Sequence, residues 1–187
     1  MRKIVFIALI ITTVSGIAVA QQHVVEPTGF ESFVTRVSVI LEIDEPVGSI
    51  VSADAKLEVA ALVAADTANP PDRQRGVRLR FENNAGLDQL YLDEAQVAAA
   101  IEDLALIEDG IPELKAGTGA LWRVQGTGSC WRPARPMRIL CPSYNVGPEG
   151  SGLSLSAYGG NSFAYPGHRP SELAQLLKKA AATLAAL

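Results

Sequence analysis

The chain is short of the residues that most often carry chemistry. Its 187 positions hold two cysteines, two histidines, two tryptophans and two methionines, and aromatic residues make up 6% of the whole. Cys130 and Cys141 lie far from His23 and from His168, so they cannot supply the closely spaced four-ligand set of a structural zinc site. There is no Cys-x-x-Cys pair for redox exchange. There is also no Gly-x-Ser-x-Gly elbow to present a nucleophilic serine to His168, which sits in a Pro-Gly-His-Arg-Pro stretch with the pattern of an exposed loop. Gly117-Thr118-Gly119 and Gly126-Thr127-Gly128 lack the lysine and the βαβ setting of a phosphate-binding loop. Asp93-Glu94 and Glu102-Asp103 are adjacent carboxylates, but they fit a helix start and its solvated face. On these grounds no catalytic residue, metal or cofactor is expected.

Long apolar runs are confined to the N-terminus. Arg2 and Lys3 precede a run from Ile4 to Val14, and Ala18-Val19-Ala20 places small residues where a signal peptidase reads. Residues 1–20 are expected to be a cleaved export signal, with Ala20 and Gln21 flanking the cut. The rival reading, an uncleaved anchor, meets a run shorter than the ~20 residues of a spanning helix. The remaining 167 residues are about 45% apolar, enough for a core, and contain no second run of membrane-spanning length. The expected location is the periplasm or the extracellular space. The expected organisation is a polar extension over 21–32 followed by one domain over 33–187.

Charge is unevenly spread. The formal charge of −4 divides, after the signal, into −12 from Gln21 to Glu113 and +6 from Leu114 to Leu187. Between Ala116 and Pro148 stand Arg123, Arg132, Arg135 and Arg138 with no acid among them, and the same stretch contains Trp122, Trp131 and Tyr144. Trp, Tyr and Arg dominate binding hot spots, and a positive patch steers acidic partners. These seven residues are the candidate binding face, for a protein or another anionic envelope component. A plainer reading stands beside it: the tryptophans are core, and the arginines meet the acidic half of the same molecule.

The periodicity of the chain describes an α+β protein. Phe33 to Ile43 and Val51 to Val59 alternate as strands, separated by a turn at Glu45-Pro46-Val47-Gly48, although the alanines of the second stretch also permit a helix. Asn69-Pro70-Pro71 through Gln74 reads as a loop, because consecutive prolines cannot donate to a ladder. Val77 to Glu82 is the clearest strand, apolar at odd positions and charged at even ones. A turn at Asn83-Asn84-Ala85-Gly86 leads to a short strand, Gln89 to Leu92. Asp93 then caps a helix with Gln96 at its third position and Val97, Ile101, Leu104 and Ala105 on one face; Gly110 and Pro112 end it.

The second half repeats this order. Leu121 to Gln125 is a strand, and Ser129–Arg132 and Met137–Cys141 form hairpin arms centred between Arg135 and Pro136. That symmetry sets Cys130 opposite Cys141, and in an oxidising compartment it predicts a disulfide worth roughly 2 to 3 kcal/mol. A strand around Leu153 and Leu155 follows, then a turn at Gly159-Gly160-Asn161. The last helix starts after Arg169 or Ser171 and carries Leu173, Leu176, Leu177, Ala180, Ala181, Leu184 and Leu187 as a stripe. Antiparallel sheet with two helices is therefore expected, arranged as half-repeats of a ββββα unit over 33–110 and 117–187.

In this order of elements the chain resembles the whirly and transcriptional-coactivator families, whose unit is four strands and a helix. The resemblance is topological. Those families bind single-stranded nucleic acid, but here no lysine-rich strand motif is present and the chain is acidic, so no nucleic-acid partner is expected. The resulting expectation is an exported, non-enzymatic binding protein. A structural or self-associating envelope protein and a hydrolase using His168 or clustered carboxylates are the alternatives.

Overall fold

The computed structural model describes residues 29–111, 122–125, 140–147, 150–157 and 162–187. A short helix α1 (Gly29–Val34) leads into four strands, β1 (Val39–Val51), β2 (Ala55–Asp66), β3 (Asn69–Asn83) and β4 (Gly86–Leu92), and then the helix α2 (Glu94–Gly110). Four further strands, β5 (Trp122–Gln125), β6 (Leu140–Gly147), β7 (Gly150–Ala157) and β8 (Ser162–Pro166), precede the helix α3 (Pro170–Ala186). Each set of four forms its own antiparallel sheet with neighbours in chain order, β1-β2-β3-β4 and β5-β6-β7-β8. The fold is α+β, and among the described residues each set of four strands is followed by a helix.

One core joins the two sheets. Leu57, Val59 and Ala61 of β2, Val77, Leu79 and Phe81 of β3, and Leu90 and Leu92 of β4 share one face of the first sheet. They pack with Val97, Ala100 and Leu104 of α2, with Leu153, Leu155, Phe163 and Tyr165 of the second sheet, and with Leu173, Leu177 and Leu184 of α3. Phe81 meets Phe163 ring to ring at 5.4 Å, a direct seam between the sheets. Burial of this many apolar side chains is the main stabilising contribution, at about 25 cal/mol per Å² of apolar surface removed from water.

The expected cap of α2 is present: the Asp93 carboxylate accepts from the Gln96 N–H at 2.9 Å, and the Gln96 side chain accepts from the Asp93 N–H at 3.2 Å. Val97 and Leu104 face the core with Ala100 and Ile107, and Ile101 packs partly against it, whereas Ala105 is exposed. The helix meets two surfaces at once, α3 and the sheets, so its buried stripe is broader than one row and is rotated towards Ile107. On α3 the stripe holds at Leu173, Leu177, Ala180 and Leu184, with Leu176 partly buried; Ala181 and Leu187 are exposed.

Several stretches differ from their sequence patterns: the chain turns at 52–54 instead of running as one strand from Val51 to Val59, and β8 follows where no strand was expected. Phe33 belongs to α1, not to a strand, and strand structure begins only at Val39. Phe30 and Phe33 lie three residues apart, so both reach the outer face of the first sheet, where they bury Ala60, Leu62 and Ala64. Gly76 makes that seat usable, since a Cβ there would stand 2.2 Å from the Phe30 ring and 2.5 Å from the Leu92 carbonyl oxygen. Glu45 to Gly48 is no turn: the chain runs straight on in β1, and Pro46 is accommodated at a bulge between Pro46 and Gly48. Pro70 and Pro71 likewise sit inside β3 where its pairing with β2 is irregular, Asp66 facing Asn69 and Ala65 facing Arg73. The prolines need no ladder donor there.

Candidate functional site

Of the candidate binding face, the structure places three residues. Trp122 and Arg123 open β5, the outermost strand of the second sheet, opposite Val146 and Asn145 of β6. Tyr144 lies on β6 opposite Leu153 and is 7% exposed, so it serves the core and not an open surface. It shares its face with Leu153, which packs against Tyr165 and α3, and alternation along β6 turns the ring inward. Trp131, Arg132, Arg135 and Arg138 lie outside the described residues, as do Ala20 and Gln21 at the expected cleavage point. Cys141 is buried, and no free cysteine occurs among the described residues. Cys130 lies outside them.

The described basic residues of the first half are engaged close to home. Arg73 pairs with Glu42 at 2.9 Å, Arg78 with Asp44 at 2.8 Å, Lys56 with Glu58 at 2.6 Å, and Arg36 with Asp72 at 3.8 Å. Arg80 lies between Glu58 and Glu82, and Arg75 donates to the Leu184 carbonyl at the end of α3. The Lys56 hydrogen bond holds the Glu58 carboxyl below its usual range against the opposing effect of burial, with the charges of Lys56, Arg80 and Arg78 adding to it. These cross-strand pairs cover the outer face of the first sheet with mutually neutralised charge.

His168 lies at the most connected polar node, just before α3. Its Nδ1 is 2.9 Å from Glu172 Oε2, and its Nε2 is 2.9 Å from the Val51 carbonyl oxygen at the end of β1. Both partners are acceptors, so the geometry favours the doubly protonated ring. The Glu172 hydrogen bond raises the His168 pKa above 6.5; burial opposes it, and the Val51 carbonyl adds to it. Glu172 also accepts from the Arg169 N–H at 2.8 Å, satisfying a donor at the start of α3. On the other side, Arg169 pairs with Glu108 near the end of α2, and Glu108 accepts from the Ser171 N–H at 3.0 Å. Burial pushes Glu108 and Glu172 up, but their hydrogen bonds outweigh it and leave both below the ordinary carboxylate range.

This node ties β1, α2 and α3 together, and it joins the acidic half to the basic half through Arg169 and Glu108. With both ring nitrogens of His168 hydrogen-bonded, one to a carboxylate and one to a backbone carbonyl, the arrangement suits a strut better than a proton shuttle. Sequence reasoning missed the strut because Glu108 is 61 positions from Arg169 and Val51 is 117 from His168; the Glu172 contact, at i, i+4, was the readable part.

Two depressions of comparable size mark the first sheet. One, about 470 Å³, lies at the turn end among Ser52, Asp54, Asn83, Asn84 and Ser162. The other, about 480 Å³, lies by Phe30, Arg73, Arg75 and the start of α2 at Asp93 and Glu94. The first is lined by loop amides and hydroxyls, and the second sets arginines against carboxylates. No group of three or more metal-ligating side chains occurs among the described residues, and among them no helix is long and apolar enough to cross a membrane. No protein-family model matches the chain, and no curated protein matches it.

Proposed function

We propose that the protein is an exported, non-enzymatic binding protein that meets an acidic or anionic envelope partner through the basic, aromatic segment around Trp122, Arg123, Trp131, Arg132, Arg135 and Arg138. The observation that carries this reading is the distribution of charge. Four arginines stand in a stretch without a single acid, while the basic side chains of the first half are already matched by neighbouring acids or, for Arg75, by a helix-end carbonyl. Trp122 and Arg123 begin an outermost strand, a position from which a neighbouring surface can be reached. The double engagement of His168 supports the non-enzymatic part of the reading.

The test is a double charge reversal, Arg132→Glu with Arg135→Glu, assayed by pull-down from an envelope extract and by binding to vesicles rich in anionic lipid. Capture on at least one of these should fall about tenfold or more, with wild-type binding weakening as salt rises. Equal capture of wild type and variant in both assays refutes the reading.

A further inference from the structure

We propose that the first half of β1 is a docking edge for a second copy of this chain, and that the strand it receives is the basic outer strand β5 of that copy. This rests on the reading of the basic segment as a binding element and names its partner.

β1 is the outermost strand of the first sheet, and its two halves differ. Val47 and Ile50 are buried, and Lys179 of α3 donates to the Val47 carbonyl at 2.9 Å. From Val39 to Pro46 no residue is buried, although the paired residues of β2 are buried throughout. Ile40 and Leu41 are 53% and 41% exposed, and Val37 just before them is fully exposed. The outer backbone edge of β1 is unpaired among the described residues, and a long outer strand that exposes apolar side chains and such an edge is what monomeric proteins avoid.

Charge decides which strand fits. β1 carries Glu42, Asp44 and Glu45 and no base. Glu42 and Asp44 have partners on β3, and Glu45 has none among the described residues. Two β1 strands side by side would bring two unmatched Glu45 carboxylates to one seam with no base to meet them, so a homotypic pair is disfavoured. The outermost strand of the second sheet, Trp122-Arg123-Val124-Gln125, has the opposite charge and an aromatic residue. Joining β1 of one copy to β5 of the next is a heterologous contact, which produces rings or open chains instead of a closed two-fold dimer.

Sedimentation of Glu45→Lys, of Arg123→Glu and of their equimolar mixture at low and high salt tests this. Wild type should associate with rising concentration at low salt. Each variant alone should associate about tenfold more weakly, because the unmatched charges at position 45 and at position 123 then have one sign, and the mixture should regain association, because each variant supplies the edge the other lacks. A wild type that stays monomeric to about 0.5 mM at low salt, an Arg123→Glu protein that associates like wild type, or a mixture no better than its components would each overturn the proposal. Vesicle and extract binding, measured at concentrations where the protein is monomeric, reports separately on the basic segment. Its loss in the Arg132→Glu, Arg135→Glu protein without rescue in the mixture would sink the copy-to-copy contact alone.

Discussion

Glu31 offers a test of the fold whose size follows from the structure. It sits in α1 between Phe30 and Phe33, on the outer face of the first sheet, and is 1% exposed. Its charge is felt by the Tyr91 hydroxyl, which burial raises and which Arg78 and Asp44 also influence. Burial pushes the Glu31 carboxyl from 4.5 up to about 7. The folded state thus holds this proton more tightly than the unfolded state. The associated stability is complete below pH 4.5, falls as pH rises, and is lost once pH passes 7. Each tenfold change in proton affinity corresponds to about 1.4 kcal/mol, so the whole loss is roughly 3 kcal/mol. Glu31→Gln keeps the shape and removes the titration. Urea unfolding of wild type and Glu31→Gln from pH 4.5 to 8 should show the variant gaining roughly 3 kcal/mol relative to wild type across that range; other titrating groups are shared and cancel in the difference. A difference constant to within about 0.5 kcal/mol would show that Glu31 folds as a carboxylate, and the reasoning from burial would be wrong.

Tyr165 is 0% exposed, and its hydroxyl has no hydrogen-bond partner among the described residues. Tyr165→Phe should therefore raise unfolding stability by about 1 kcal/mol in urea melts, and a loss of that size would mean the hydroxyl is satisfied. Gly76→Ala should lower stability by about 2 kcal/mol or more and speed amide exchange across residues 30–35, because the new methyl has the Phe30 ring and the Leu92 carbonyl in its place; unchanged exchange would show that α1 does not depend on that seat. The clamp at His168, whose pKa is raised, stabilises fully below pH 6.5 and is lost as pH rises through the raised value. His168→Gln should cost under about 1 kcal/mol at pH 6, and an imidazole titration found below 6.5 by NMR would contradict the clamp. Mass measurement of the protein produced in an oxidising compartment should find Cys130 and Cys141 bridged, two hydrogens lighter than the reduced chain, and two alkylatable thiols would refute the bridge.

What the sequence determined on its own was local. The alternation of Val77 to Glu82, the Asp93 and Gln96 cap and the stripe through Leu173, Leu177 and Leu184 depend on neighbours within one or two turns, so their pattern survives in a linear reading. In the first half the order of strands and helix was largely legible, because Gly, Asn and Asp mark turns between strands; in the second half the hairpin expected about Arg135 and Pro136 did not foretell β6, and β8 left no readable period. Tertiary structure decided the rest. The Asn-Pro-Pro stretch became strand because it falls at an irregular point of the ladder, where a missing N–H costs little. Glu45 to Gly48 stayed extended because β2 pairs on both sides of the bulge. Phe33 lies in a helix because an alanine-lined sheet face from across the fold receives it beside Phe30, whose ring sits on Gly76. Tyr144 turned inward through its pairing with Leu153, and His168 became a strut through Val51, a residue 117 positions away. In each of these cases the side chain's free energy is set by a distant surface, and no periodicity near the residue reports which surface that will be.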